Sequence, residues 1–175
     1  ELLRNGLYDE FFADFKNIFI PFLAPEVYGR STLENSSFIV SSVYPDASLH
    51  GNGFVARLTG ATAEFINILH LMTMGPRPFR LGKTGELQFG LRPSLPAWLF
   101  TEGKRKLRIY NGTKWQEIEV PAGSFSFMLL GKIVVTYHNR DRKNTYGDGG
   151  VVPVKWRISD NNGKEQEFEG PEPGA

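Results

Sequence analysis

The residues with the most chemical promise stand in a row between Leu49 and Phe65, where Thr59 and Gly60 directly precede an apolar run begun by Ala61, Ala63 and Phe65. The first turn of a helix leaves backbone N–H groups without partners and carries the positive end of the helix dipole. Thr59 is predicted as the N-cap, its hydroxyl accepting from the N–H two or three residues on. Gly60 removes the side chain that would hold a ligand away from the backbone. A helix mouth of this kind suits a phosphate or a carboxylate and needs no metal. The same residues also make an ordinary capped core helix, and residue types alone leave both readings open. The histidines, at 50, 70 and 138, are too scattered to suggest a zinc site. With no cysteine, disulfides and thiolate metal sites are excluded.

The elements that must position Thr59 can be read from periodicity. Phe11, Phe15, Ile18 and Phe22 recur at helical spacing, widened by Phe12, Phe19 and Leu23, while Asp9, Asp14, Lys16 and Asn17 lie off the stripe. Pro21 ends or kinks that helix. A polar face that is acidic rather than basic favours core packing over a membrane surface. Thr32 or Ser31 is expected to cap a second short helix through about Ser42, closed by the turn Tyr44-Pro45-Asp46. A third helix is predicted from Thr59 to about Met74, apolar on nearly all sides and so buried between other helices, with His70 a satisfied core histidine.

From Gly75 onward the pattern is one of strands and turns. Asn111-Gly112 signals a two-residue hairpin that puts Leu107, Ile109, Ile118 and Val120 on one face and Lys106, Arg108, Glu117 and Glu119 on the other. Gly131-Lys132 is expected to turn a hairpin between 125–130 and 133–138, and Asn162-Gly163 one between 154–159 and 165–168. An entry strand near 87–91 completes a small antiparallel sandwich, with 140–150 a long polar loop. Trp98, Trp115 and Trp156 can stack on sugar rings, though core packing is the commoner use of such residues.

Composition limits the function classes. The 175 residues are 41% hydrophobic and 13% aromatic, enough for a real core in one domain or two small ones. A net charge of +1 makes no electrostatic case for nucleic acid or an anionic membrane, and no segment is long and apolar enough to span a bilayer. The chain opens on Glu1 without a signal peptide and reads as a piece of a longer protein, for which a cytoplasmic location is expected.

The segment from His50 to Phe65 resembles the end of the catalytic barrel in the cellobiose phosphorylase family, glycoside hydrolase family ninety-four. The family pattern is His-Gly, six residues, then Leu-Thr-Gly-Thr-Ala-Ala-Trp; here His50-Gly51 and Leu58-Thr59-Gly60-Ala61-Thr62-Ala63-Glu64-Phe65 keep that spacing. Leu91-Arg92-Pro93-Ser94-Leu95-Pro96-Ala97-Trp98 is similar to the passage from barrel to C-terminal β-sandwich, and the stretch from Phe127 to Asn139 resembles the hairpin after it. The resemblance implies an α+β fold: closing helices of an (α/α)6 barrel over residues 1–82, then a C-terminal antiparallel β-sandwich over 83–175. It implies a phosphorylase that cleaves β-glucosidic bonds of oligosaccharides with inorganic phosphate and inverts the anomeric centre. Thr59 and Gly60 match the residues that contact phosphate there, Thr59 through its hydroxyl and Gly60 through its N–H. His50 matches the family histidine, with two roles open: lining the site or satisfying loop backbone groups.

Departures from the pattern also count. Val40 stands where the family has a phosphate-holding glutamine, so either Ser37 or Ser41 substitutes or phosphate is held differently. Arg57 replaces an aromatic residue and adds a cation near the anion or faces solvent. Glu34 falls near a family glutamate but reads as a charge at a helix start. The family's general acid lies in segments upstream of those matched here, so the chain alone is expected to be inactive. No cofactor is expected, phosphate being a substrate. The expected partners are oligosaccharide, phosphate, the N-terminal part of the enzyme and a second copy in a homodimer. Two other readings stand beside this one: a noncatalytic carbohydrate-binding or structural β-sandwich module, and a glycoside hydrolase on the same scaffold.

Overall fold

The computed structural model describes residues 1–18, 26, 36–56, 59–160 and 162–171, with backbone alone at 16–18, 36–38, 54–56 and 59–62. Two α-helices and ten strands have defined limits among these residues, so the chain mixes helix with short antiparallel strands. The chain forms two compact units, Glu1–His70 and Leu71–Ala175.

In the first unit, α1 (Tyr8–Ile18) starts with Asp9 and Glu10 in its first turn, where the dipole favours them. Its predicted apolar stripe buries Phe11 at 5% exposure, and the Phe11 ring meets those of Phe12 and Phe15 edge-on at 4.9 and 5.9 Å. Phe22 and Pro21 lie outside the described residues. The helix expected through Ser42 is not formed at its end: Ser36–Ile39 is strand β1, paired antiparallel with β2 (Gly53–Ala56). Phe38 and Ile39 pair with Phe54 and Gly53, a long-range ladder that local helix signals do not reveal. The start of the expected helix, at Ser31 or Thr32, lies outside the described residues.

Helix α2 (Thr59–Met74) has the predicted limits. Its burial differs from expectation. Phe65 and Met72, a heptad apart, are buried, whereas Ile66 is 49% exposed, Leu69 is 37% exposed and His70 is also exposed. His70 is therefore no core histidine; it shares the outer side with Ala63 and Ile66.

The carboxyl end of α2 accounts for every one of its last acceptors. A helix leaves its final four carbonyls without intrahelical partners. Here Leu71 C=O accepts from Gly75 N–H at 3.1 Å and Met72 C=O from Ser94 N–H at 2.7 Å. Thr73 C=O accepts from the Tyr137 hydroxyl at 2.6 Å, and Met74 C=O from Arg92 N–H at 3.0 Å. Gly75 permits this by adopting φ 81° where a Cβ would lie 2.6 Å from Arg92 O.

The second unit holds four hairpins: β3 (Phe79–Leu81) with β4 (Leu87–Phe89), β5 (Arg105–Tyr110) with β6 (Trp115–Val120), β7 (Ser124–Leu129) with β8 (Ile133–His138), and β9 (Lys155–Ser159) with β10 (Glu165–Glu169). Every described sheet is two-stranded. In β5–β6 the predicted faces are observed, with Ile109 and Val120 buried and Arg108, Glu117 and Glu119 exposed. The turn is longer than expected. The Asn111 side chain accepts from Thr113 and Lys114 N–H at 3.0 and 2.9 Å, so four residues separate Tyr110 from its partner Trp115. The two added residues shift the register by two, which keeps every side chain on its predicted face.

Met74, Leu91 and Leu129 form a core cluster packed by Phe89, Phe127, Val135, Tyr137 and Trp156. Leu91, Leu95 and Phe100 are at most 1% exposed, and each such burial stabilises by about 1.5–3 kcal/mol. The predicted polar loop at 140–150 is observed, and it straps down residues 93–97. Thr145 Oγ1 donates to Pro93 O at 2.7 Å and accepts from Leu95 N–H at 2.8 Å, while Asn144 Oδ1 accepts from Ala97 N–H at 2.8 Å. Those contacts satisfy the backbone of a buried, proline-broken segment that can join no ladder.

Candidate phosphate site

Strand β2 leads toward α2, whose first residues are Thr59 and Gly60. The backbone there is helical from Thr59, one position earlier than an N-cap at that residue, a shift within the ordinary spread of helix limits. The N–H groups of Thr59 and Gly60 belong to the opening turn and have no partners within the helix. Arg57 lies outside the described residues.

His50 and Ser41 belong to the loop that β1 and β2 close. Val40 N–H donates to Asn52 O at 3.0 Å and Gly51 N–H to Val40 O at 2.9 Å, tying the base of this loop. Inside it, Asp46 caps the 3-10 turn Ala47–Leu49, accepting from Ser48 N–H at 3.0 Å and Ser48 Oγ–H at 2.6 Å. Those two bonds hold the Asp46 carboxyl below its usual pKa, with a smaller contribution from His50.

His50 Nε2 lies 2.7 Å from the Tyr44 carbonyl. A carbonyl only accepts, so Nε2 carries the proton and the neutral ring turns a bare lone pair outward at Nδ1. In that state His50 serves the loop, one of its two expected roles. It donates to an anion only as imidazolium, through Nδ1–H. Ser41 Oγ accepts from Val43 N–H at 3.2 Å, leaving its own hydroxyl proton to give.

A serine–histidine contact in the second unit was not anticipated. Ser124 Oγ lies 3.1 Å from His138 Nδ1 on directly opposed residues of β7 and β8. Ser124 is fully buried and so cannot meet a substrate, and the pair is a cross-strand tie.

Among the described residues the carboxyl groups displaced from their usual pKa are Asp46, Glu86 and Glu167, all displaced downward. Thr84 is the main cause at Glu86, and Lys155 followed by Arg157 at Glu167. A general acid requires the opposite displacement. Among the described residues no cluster of three His, Asp or Glu is placed to hold a metal, and no helix is long and apolar enough to cross a membrane. No protein-family model, curated protein or solved structure matches this chain.

Proposed function

We propose that this chain is the C-terminal part of a carbohydrate phosphorylase that cleaves β-glucosidic bonds with inorganic phosphate and inverts the anomeric centre. One observation carries the reading: α2 begins at Thr59-Gly60, within the Leu-Thr-Gly motif, so the N–H groups of Thr59 and Gly60 belong to the first turn and have no partners inside the helix. A hydrolase needs a second carboxylate to activate water, but phosphate arrives already charged. What the protein must supply is a fixed set of donors that hold phosphate in line with the reacting carbon. In this reading Gly60 N–H and the Thr59 hydroxyl are those donors, Arg57 and Ser41 assist them, and His50 joins them when protonated. The remaining α2 residues and α1 are the closing helices of an (α/α)6 barrel, and the hairpins belong to the C-terminal β-sandwich. The general acid belongs to the rest of the enzyme.

Titration of the chain with orthophosphate, followed by phosphorus NMR and calorimetry, tests this assignment. Thr59→Val removes one charge-assisted hydrogen bond worth about 1.5–3 kcal/mol, and an affinity loss of about 10–100-fold is expected. Unchanged binding in the variant would sink the site assignment. Turnover of cellobiose and phosphate by the 175-residue polypeptide would overturn the placement of the acid outside it.

A further inference from the structure

The outer face of the β5–β6 hairpin carries a charge ladder that ends on two aromatic rings. Lys106 stands opposite Glu119, Arg108 opposite Glu117 and Tyr110 opposite Trp115. The ion pairs do not follow this register. Lys104 Nζ reaches Glu119 at 2.9 Å and Lys106 Nζ reaches Glu117 at 2.8 Å, each lysine taking the carboxylate diagonal to it. That pattern uses both carboxylates and leaves Arg108, next in the row, with the ring of Trp115. Its guanidinium lies 5.2 Å from the ring centroid. Among the described residues Arg108 has no carboxylate partner, and neither has Lys114 in the adjoining turn.

Large aromatic residues normally bury their surface, so an exposed pair is informative. Trp115 is 62% exposed and Tyr110 49%, with ring centroids 5.5 Å apart. The turn end of the hairpin thus presents two rings, a guanidinium already placed over one of them, and a second unclaimed cation. We propose that this surface binds an acidic carbohydrate, a uronate ring laying its C–H face on Trp115 while Arg108 takes the carboxylate in a forked pair. Arg108 is suited to that geometry because its planar donors match a carboxylate and its stacking reduces the ordering cost of binding.

Charge selects among occupants. A neutral sugar gains no ion pair from Arg108 and Lys114. A nucleic-acid strand asks for a basic track along several phosphates, whereas the lysines farther along this face are neutralised in pairs and the chain carries a net charge of only +1. Two free cations fit one or two anionic groups on a stacking ring. This surface lies on the β5–β6 hairpin alone and is independent of the phosphorylase reading.

Calorimetric titration of the full chain with an oligogalacturonate tests it, with a cello-oligosaccharide and an oligothymidylate of equal length as comparators. The expected result is saturable binding of the acidic oligosaccharide that weakens with salt, is lost in Trp115→Ala and falls about tenfold or more in Arg108→Gln. Circular dichroism verifies that each variant is folded, and Arg108→Gln, a change of one exposed head group, keeps the test intact if Trp115→Ala loosens the hairpin. Absence of binding by the parent chain, undiminished binding in folded Arg108→Gln, or equal or tighter binding of either comparator overturns the proposal.

Discussion

Removing the single hydroxyl of Tyr137 isolates the closure at the end of α2. Tyr137→Phe keeps the ring, and with it the packing on the Met74 cluster and the contact with Phe127 at 5.8 Å. It deletes the donor 2.6 Å from Thr73 O, in a residue only 5% exposed. Because the carbonyl stays buried, the cost is that of removing a hydrogen bond to a buried acceptor, about 1–3 kcal/mol. Equilibrium denaturation in urea should show a lower midpoint with an unchanged slope, since packing and exposed area are conserved.

Alkali gives an independent signature of the same contact. Burial raises the Tyr137 pKa above the usual tyrosine value of 10.0, so the folded state holds the phenolic proton longer than the unfolded chain does. Below pH 10 both states are protonated and the contribution is complete. As pH climbs past 10 the unfolded chain alone releases the proton, and stability falls by about 1.4 kcal/mol per pH unit. The Phe variant lacks this component, so the two stability curves should converge in alkali. A midpoint change equivalent to less than about 0.5 kcal/mol, the range of an ordinary surface substitution, together with parallel curves above pH 10 would refute the reasoning.

Two further substitutions follow from backbone geometry. Gly75→Ala should destabilise by about 2 kcal/mol or more, because the left-handed φ and the close approach to Arg92 O both oppose a Cβ; urea melts check this, and a neutral result would falsify the proposed closure. Leu130 has φ 50° in the β7–β8 turn with its side chain 65% exposed, so Leu130→Gly should raise the melting midpoint by the equivalent of about 1 kcal/mol, measurable by calorimetry.

Where local chemistry decides conformation, the sequence was informative. The limits of α2 followed from a Thr-Gly start and an apolar run to about Met74, and the hairpins around Gly131 and Asn162-Gly163 followed from their turn residues, with Leu130 joining Gly131-Lys132 in the turn rather than the strand. What escaped depends on distant partners. Ser36–Ile39 becomes a strand because Gly53–Ala56 returns to pair with it across a loop, and no local period announces that ladder. Side-chain capture lengthened the β5–β6 turn, where Asn111 takes two N–H groups, and in the β9–β10 turn Asp160 takes those of Asn162 and Lys164. The strap around Thr145 depends on Pro93, far away along the chain. At the candidate site, the opening of α2 was legible as a helix start, whereas the Tyr44 carbonyl that claims His50 Nε2 emerges only once the loop is folded. The unpaired state of Arg108 arises from a diagonal choice of ion pairs that alternation alone does not specify.

The donors that finish α2 come from Gly75, Arg92, Ser94 and Tyr137, three stretches made at different times. During synthesis at roughly 5–20 residues per second, the helix stands for several seconds before Tyr137 exists to reach it. A nascent chain halted between Ser94 and Tyr137 holds a helix whose Thr73 carbonyl has yet to meet the tyrosine hydroxyl. Final rigidity therefore reaches this helix from its C-terminal side, set by a tyrosine that leaves the ribosome long after the helix itself.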